Sequence, residues 1–307
     1  MMYLTLFGVT TVLSEDQPTA ITEFGGGKPR EILEILAVAA GAPVAKDRLA
    51  ELLWDGTPPK SWVATLESYI SVLRRRLGCA PGRNSEIATT MNGYRLDLTR
   101  VSVDLLRFRA LAADAARLPV TESLALVDEA LALASGELLA SEPTADWAHR
   151  EKDLFRADLV RLAGLGATRA LETGDHHAAS RYATIATEYD PIDEVGWQQL
   201  MAARWHAGRR ADALRAYGEL RTVLAAELGV EPSTHTRDLY MQVLRDEPTS
   251  NAIATEQRLE IKMLTDLLHQ CLETLGTADH GLADAWTRTQ RGLHDIEAAL
   301  TPTASAA

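Results

Sequence analysis

The spacing of apolar and polar residues near the start of the chain predicts strands followed by helices. Residues 3–13 and 20–24 alternate as β-strands do, and the polar cluster 14–18 between them predicts a turn. From Pro29 to Gly41 the apolar positions instead recur every three or four residues, which predicts a helix of about three turns. A second helix is expected from Lys46 to Trp54.

A third helix is predicted from Ser61, a residue type that often caps helix N-termini, to Leu77, just before Gly78. Its apolar residues are spaced 3, 4, 3 and 4 apart and define one buried face: Val63, Leu66, Ile70, Leu73 and Leu77.

Two strand-like runs follow this helix and flank the sequence Met-Asn-Gly. The runs cover residues 87–90 and 94–98, and Asn-Gly between two such runs predicts a β-hairpin. Strands, three helices and a terminal hairpin, in that order, are typical of a winged helix-turn-helix, which we expect over residues 1–100.

Beyond residue 100 the pattern predicts only helices, which should occupy residues 105–118, 120–134, 147–173, 176–189, 194–206, 211–228 and 234–245. An internal repeat runs through them, since Gly174 and Gly208 are 34 residues apart, as are Ala179 and Ala213. This period is typical of tetratricopeptide repeats, whose helix pairs stack into an array with a concave surface. We therefore expect a tetratricopeptide-like domain over residues 101–247.

Residues 248–307 are expected to form a linker, a helical hairpin and a disordered tail. Apolar positions recur at heptad-like spacing over 261–275 and again over 282–300. These faces could pair between two chains in a dimer or pack within one chain, and the pattern does not distinguish the two. The fold class expected for the whole chain is mainly α, with an N-terminal α+β winged domain.

The face of the third helix opposite its apolar stripe is small, hydroxylated and basic. With residues placed at intervals of about 100°, it comprises Ser61, Ala64, Thr65, Ser68, Ser71, Val72 and Arg75. Hydroxyls can bind base edges or phosphates, and an arginine can bind a guanine through two hydrogen bonds. This face therefore predicts a helix that reads the major groove of DNA, with Arg74 and Arg76 extending its basic end.

Cations from other predicted elements could add contacts to the DNA backbone. Lys28 and Arg30 lie at the start of the first helix, Lys60 precedes the third, and Arg95 follows the hairpin turn. Taken singly, each is better explained as a solvated surface residue than as a DNA contact, and a basic run at a helix C-terminus can simply complement the helix dipole. The order of the surrounding elements favours DNA binding.

Composition at first opposes that hypothesis, because the chain carries a formal net charge of -12. The excess acid is confined to one part: residues 1–100 hold 11 basic and 11 acidic residues, and residues 101–307 hold 20 and 32. The first part can therefore meet phosphate while the acidic part remains free for protein partners.

Other function classes find no support in the sequence. Two cysteines are too few for a disulfide framework and fit a reducing cytoplasm, and no run of 18 apolar residues predicts a membrane span. The Gly-Gly-Gly-Lys-Pro run at 25–29 departs from the phosphate-loop pattern. We identify no catalytic residues, expect no metal site and no cofactor, and do not expect an enzyme.

Several segments, taken as an ordered set, resemble the Streptomyces antibiotic regulatory protein family and its bacterial transcriptional activation domain. They lie between residues 3 and 247 and read GGKPR, ILEILAVAAG, LLWDGTPP, LESYISVLRRRLG, NGYRLDL, VDLLRF and LGVEPS. The match departs from the family in two places. Asp-Gly follows Trp54 where Gly-Asp is commoner, and the segment after about residue 250 has no counterpart.

The resemblance implies a pathway-specific transcriptional activator of antibiotic biosynthesis. Such proteins bind direct repeats near promoters, with protomers arranged head to tail, and recruit RNA polymerase holoenzyme through sigma and other subunits. By this resemblance residues 61–77 are the recognition helix, and Tyr94 and Arg95 lie in the wing. The loop of Asp55, Gly56, Thr57 and Pro58 would be the segment presented to polymerase.

Two alternatives from other function classes remain open at this point. The helical repeats could serve a protein-interaction scaffold whose winged domain no longer reads DNA, or their concave face could bind a small molecule in a ligand-sensing regulator.

Overall fold

The computed structural model describes residues 1–14 and 17–245, of which residues 1–243 belong to one compact unit. The predicted helical hairpin between residues 261 and 300 lies outside the described residues. Within them, no helix has both the length and the apolar content needed to cross a membrane.

The strands of the described residues form two small sheets. They are β1 (Met2–Thr5), β2 (Thr11–Ser14), β3 (Gln17–Ile21), β4 (Val44–Ala45), β5 (Ile87–Thr89), β6 (Gly93–Leu96) and β7 (Val101–Val103). One sheet has the order β3-β2-β1-β7, in which β7 runs parallel to β1 and the other pairs are antiparallel. The other sheet has the order β4-β6-β5 and is antiparallel throughout.

Three sequence expectations for the strands are wrong. The single strand expected over residues 3–13 is a hairpin, because Gly8, at a left-handed φ of 80°, lies in the turn between β1 and β2. The second strand covers 17–21 rather than 20–24. The chain after residue 100 is not all helical, since it begins with β7, a strand too short to show periodicity.

The helices match their predicted positions closely. They are α1 (Gly27–Val38), α2 (Lys46–Leu53), α3 (Trp62–Leu77), α4 (Asp104–Ala115), α5 (Val120–Leu133), α6 (Asp146–Thr173), α7 (His176–Tyr189), α8 (Glu194–His206), α9 (Arg210–Glu227) and α10 (Thr234–Arg245). The order of elements expected for a winged helix-turn-helix, α1 to α3 followed by the β5–β6 hairpin, is confirmed.

The repeat signal in the helical part is also confirmed. Gly174 and Gly208, which follow α6 and α8, both adopt left-handed φ angles, 77° and 74°, and so occupy equivalent turns. Ala179 and Ala213 are both fully buried, where a small side chain lets neighbouring helices approach closely. Successive helices from α4 to α9 pack on their neighbours, as in a tetratricopeptide-like array.

The winged and helical parts share a hydrophobic core. Phe7 lies between Phe108 and Phe155, at ring-centroid distances of 6.3 and 5.0 Å. The Asp104 carboxylate, at the start of α4, accepts hydrogen bonds from the backbone N–H groups of Leu6 and Phe7 at 2.8 and 3.1 Å. These contacts join the first sheet to α4 and α6 within one packed body.

Candidate nucleic-acid interface

Four leucine and isoleucine side chains anchor α3 in the core of the winged part: Leu66, Ile70, Leu73 and Leu77 are all buried. The helix ends at Gly78, whose left-handed φ of 70° allows Cys79 N–H to donate to the Arg74 carbonyl at 2.8 Å. At the other end Ser61 occupies the N-cap position without a side-chain capping bond. The three arginines of the last turn complement the helix dipole.

The exposed face of α3 is rotated relative to the sequence prediction. Val63, expected in the core, is 43% exposed, whereas Val72, expected to face DNA, packs against Gly25 of the β3–α1 loop. A Cβ on Gly25 would lie 2.3 Å from Val72 Cγ1, so this loop covers that side of the helix. The exposed residues of α3 and its N-cap, which we call the α3 face, are Ser61, Val63, Ala64, Glu67, Ser68, Ser71, Arg75 and Arg76.

Two of the predicted hydroxyls are already hydrogen-bonded within the helix. Thr65 Oγ1 donates to the Ser61 carbonyl at 3.1 Å, and Ser71 Oγ donates to the Glu67 carbonyl at 2.9 Å. Their oxygens still present lone pairs, so at these positions the helix can accept hydrogen bonds from base amino groups.

Arg74 and Tyr94 join α3 to the hairpin rather than facing solvent. The Arg74 guanidinium donates to the Ile87 carbonyl at 2.5 Å and to Thr89 Oγ1 at 2.9 Å. It lies 5.7 Å from the centroid of the Tyr94 ring, and Tyr94 is only 4% exposed. Burial lowers the pKa of Arg74 and raises that of Tyr94. Both residues hold the β5–β6 hairpin against α3.

Lys28 and Arg30 are engaged in contacts inside the protein. Lys28 Nζ forms an ion pair with Glu31 at 2.8 Å and a second hydrogen bond with the Leu53 carbonyl at the end of α2. Arg30 binds Glu142 at 2.9 Å and the Ser141 carbonyl at 3.1 Å, across the junction with the helical part. Their observed role is to hold α1 to its neighbours.

Lys60, Arg75 and Arg76 are exposed around α3, and Arg95 lies half-buried on β6. The Arg95 guanidinium is 3.9 Å from the Asp97 carboxylate. At the hairpin tip Met91 is fully exposed, next to Asn92. The hydrogen bonds from Arg74 to Ile87 and Thr89 place this hairpin next to α3.

The sequence reading missed one ion pair on this surface. Lys46, the first residue of α2, lies 2.6 Å from Glu67 of α3, between Nζ and Oε1. Neither residue was a candidate, because their 21-residue separation gives no periodic signal. The pair places a carboxylate within the α3 face.

The loop between α2 and α3, expected to meet polymerase, is exposed over residues 55–61. Asp55 and Gly56 both adopt left-handed φ angles, 48° and 77°. Because Asp precedes Gly here, Asp55 rather than a glycine takes the first left-handed position. Aspartate tolerates this conformation better than most residues that have a Cβ. Thr57 stabilises the turn, since its N–H and its Oγ1 both donate to the Trp54 carbonyl at 2.9 Å.

An open groove of about 950 Å³ adjoins this loop, between α1, α2 and the start of α6. Its apolar lining includes Ile35, Val38, Leu52 and Trp147, and Asp55 and Gly56 contribute to its rim. The exposed loop thus borders an apolar surface, a combination common in protein contact sites.

Two family descriptions match the chain. Residues 25–96 match "Transcriptional regulatory protein, C terminal", and residues 103–244 match "Bacterial transcriptional activator domain". The regulatory protein DnrI of Streptomyces peucetius is 32% identical over 233 residues, which cover 72% of this chain and 85% of DnrI. The chain belongs to the Streptomyces antibiotic regulatory protein family of transcriptional activators. The expectation from the sequence motifs is confirmed.

Another relative of this chain is a much longer protein. The regulatory protein AfsR of Streptomyces griseus is 29% identical over 225 residues, which cover 72% of this chain but only 22% of AfsR. Among solved structures, Mycobacterium tuberculosis EmbR in complex with a low-affinity phosphopeptide has a TM-score of 0.65 at 24% identity, and the match covers 86% of this chain and 71% of EmbR. That likeness supports the fold, and the family matches do not favour the scaffold or ligand-sensor alternatives.

Proposed function

We propose that this member of the family is a sequence-specific DNA-binding activator of transcription that regulates a pathway of antibiotic biosynthesis in the cytoplasm. It acts by binding, without catalysis. The observation that carries the proposal is the α3 face: a helix anchored by four buried residues presents mostly small, hydroxylated and basic side chains to solvent, together with Val63 and the Glu67 carboxylate.

The proposed DNA contacts follow from the arrangement around α3. The α3 face enters the major groove, Lys60, Arg75 and Arg76 meet bases or phosphates, and the wing tip at residues 91–92 reaches the adjacent backbone. Arg74 and Tyr94 hold the wing in place, while Lys28 and Arg30 hold α1.

We further propose three domains, 1–100, 101–247 and 248–307, and binding as a homodimer to direct repeats. The shared core around Phe7 would fix the orientation of the winged domain relative to the helical array. Adjacent protomers arranged head to tail would then bring their helical arrays together at a spacing set by the DNA repeat.

Arg75→Ala tests the direct reading of DNA by α3. If Arg75 binds a base, the substitution should weaken binding to the specific site by about 1 to 3 kcal/mol and leave binding to random DNA nearly unchanged. Gel-shift titrations with DNA upstream of the regulated genes, at two salt concentrations, measure both affinities, and specific binding should weaken as salt rises.

Arg161→Ala on α6 is the matched control, because it removes the same charge from an exposed position outside the winged part. Its affinity for the specific site should equal that of the unaltered protein. An equal loss by Arg75→Ala on specific and random DNA would assign Arg75 to a phosphate instead. Absence of any specific binding by the unaltered protein would contradict the proposed function.

Asp55→Asn tests the proposed contact of the α2–α3 loop with RNA polymerase holoenzyme, including sigma. Asparagine tolerates the left-handed φ of 48° and removes only the charge, so the fold and DNA affinity should not change. Transcription in vitro from a promoter carrying the binding site should fall several-fold. Unchanged transcription at full promoter occupancy would show that the Asp55 carboxylate is not used.

A further inference from the structure

The α3 face, which is proposed to meet DNA, carries one carboxylate, that of Glu67. The Glu67 side chain is 52% exposed and lies one turn from Ala64 and Ser71 on the α3 face. If α3 enters the major groove, as the proposed function holds, this negative charge comes near the phosphates of both strands. Repulsion from those phosphates would weaken binding to every sequence unless the carboxylate gains an attractive contact.

Lys46 holds the carboxylate in one place. Its Nζ lies 2.6 Å from Glu67 Oε1 and 5.9 Å from the centroid of the Tyr94 ring, itself buried between Lys46 and Arg74. The hydrogen bond that Lys46 donates to Glu67 is the main cause of the raised pKa of Lys46. The lysine therefore stays charged and reduces the repulsion between Glu67 and DNA, while Oε2 remains free to accept a hydrogen bond from a base.

The major groove offers few partners to a carboxylate. Guanine presents two acceptors at N7 and O6, and thymine presents an acceptor at O4, so both repel it. Adenine presents an amino donor beside the N7 acceptor. Cytosine presents the N4 amino group as its only polar major-groove atom, which makes it the favoured partner of Glu and Asp.

We propose that Glu67 specifies a cytosine: its carboxylate, held by Lys46, accepts a hydrogen bond from the N4 amino group of one cytosine in each half of the binding site. The inference rests on the proposed function, since it requires α3 to lie in the major groove. Glu67 is then a specificity-determining residue rather than a source of stability, because exposed ion pairs contribute little to folding.

The test is selection of binding sites from a pool of randomised duplex DNA, followed by sequencing, with the full chain. The unaltered protein should require cytosine at one position of each half-site. Glu67→Gln should shift that one position towards adenine, since glutamine pairs with adenine N6 and N7. Glu67→Ala should accept any base there, and discrimination at that position should change about 5- to 150-fold.

Glu51→Gln is the matched control, because Glu51 is similarly exposed and pairs with Arg48 at 2.9 Å on α2. It should select the same motif as the unaltered protein. Identical motifs for the unaltered protein and both Glu67 variants would overturn the proposal. It would also be overturned if the Glu67 variants bound all sequences more tightly than the unaltered protein by one common factor, because Glu67 would then only repel phosphate. If the unaltered protein selects no motif, the proposed function itself fails.

Discussion

Gly93→Ala is expected to destabilise the protein by about 3 kcal/mol or more, because there is no space for a side chain at this position. Gly93 begins β6 and pairs with Ala45 of β4. A Cβ built on it would lie 1.9 Å from the Val44 carbonyl oxygen and 2.9 Å from Ala45 Cα. Backbone atoms cannot rotate away as a side chain can, so the β4–β6 pair must separate.

The loss of that pair should affect function as well as stability. β6 carries Tyr94, which lies between Lys46 and Arg74, so displacement of β6 also loosens the wing from α3. Thermal unfolding should show a midpoint lowered by roughly 6 to 12 °C, and affinity for the specific DNA site should fall at temperatures where the protein is still folded.

Gly27→Ala serves as the control, because a Cβ at Gly27 would have no atom within 4 Å apart from its chain neighbours and the adjacent backbone of α1. Gly27 lies at the start of α1, where alanine is accepted. The thermal unfolding midpoint of the Gly27→Ala variant should therefore stay close to that of the unaltered protein. A Gly93→Ala variant that is as stable as Gly27→Ala would show that the two strands can part at little cost.

Gly93 also illustrates what sequence reasoning can and cannot explain. The Asn-Gly pair correctly predicts a hairpin between β5 and β6, but not the reason for the glycine. The usual reason would be a turn that needs positive φ. Here Gly93 lies outside the residues with positive φ, and the close approach of β4, 48 residues earlier at Ala45, requires it. A local sequence pattern cannot predict a contact between residues so far apart in the chain.

The helices were predictable because each is long enough to display its period. α7, α8 and α10 have the predicted bounds. For the other helices of the repeat part, each observed end lies within three residues of the predicted one. The strands were less predictable: β7 has three residues and is fixed by pairing with β1, almost a hundred positions earlier in the chain. Pairing over that distance leaves no periodic trace in a short segment.

The candidate interface was predictable as a helix face, but not in its detailed membership. A helical projection cannot know that the β3–α1 loop covers Val72 and leaves Val63 exposed. Nor can it assign partners to cations: Arg30 meets Glu142, 112 residues away, and Arg74 meets the backbone of β5. Of the basic residues near α3, the structure leaves Lys60, Arg75 and Arg76 at the surface, where DNA can reach them.

Raising the pH from 5 to 8 is expected to weaken folding through Glu34. This carboxyl is fully buried on α1, accepts a hydrogen bond from Thr10 Oγ1 at 2.5 Å, and lies 3.5 Å from Arg30 Nε. Burial, which disfavours the charged form, raises its pKa to about 7, and Glu142 adds repulsion, while Thr10 and Arg30 offset part of the shift.

The sign follows from proton binding. Between the unfolded pKa of 4.5 and the folded value of about 7, the folded state retains a proton that the unfolded state has lost. The free energy of unfolding therefore falls as pH rises through this range. Above this pH range the full cost of burying the charged Glu34 carboxylate lowers the free energy of unfolding, by at most about 3 kcal/mol.

Glu34→Gln isolates this contribution, because glutamine fills the same space and stays neutral at every pH. Denaturant unfolding at pH 5 and pH 8 should show a clearly smaller loss of stability for the variant than for the unaltered protein. Part of the loss should remain, since burial also raises the pKa of neighbouring Glu31. The exposed Glu129→Gln variant, which loses an ion pair with Arg107 far from α1, should keep the original pH dependence.

An equal loss of stability in Glu34→Gln and in the unaltered protein would show that Glu34 stays charged at pH 5, paired with Arg30. A smaller loss in the variant means that the junction between α1 and residues 141–142 is held by a neutral carboxyl and one arginine shared with Glu142. The same arginine was a candidate for binding DNA phosphate. Its engagement with two carboxyl groups inside the protein explains why a cation at the start of α1 serves the fold.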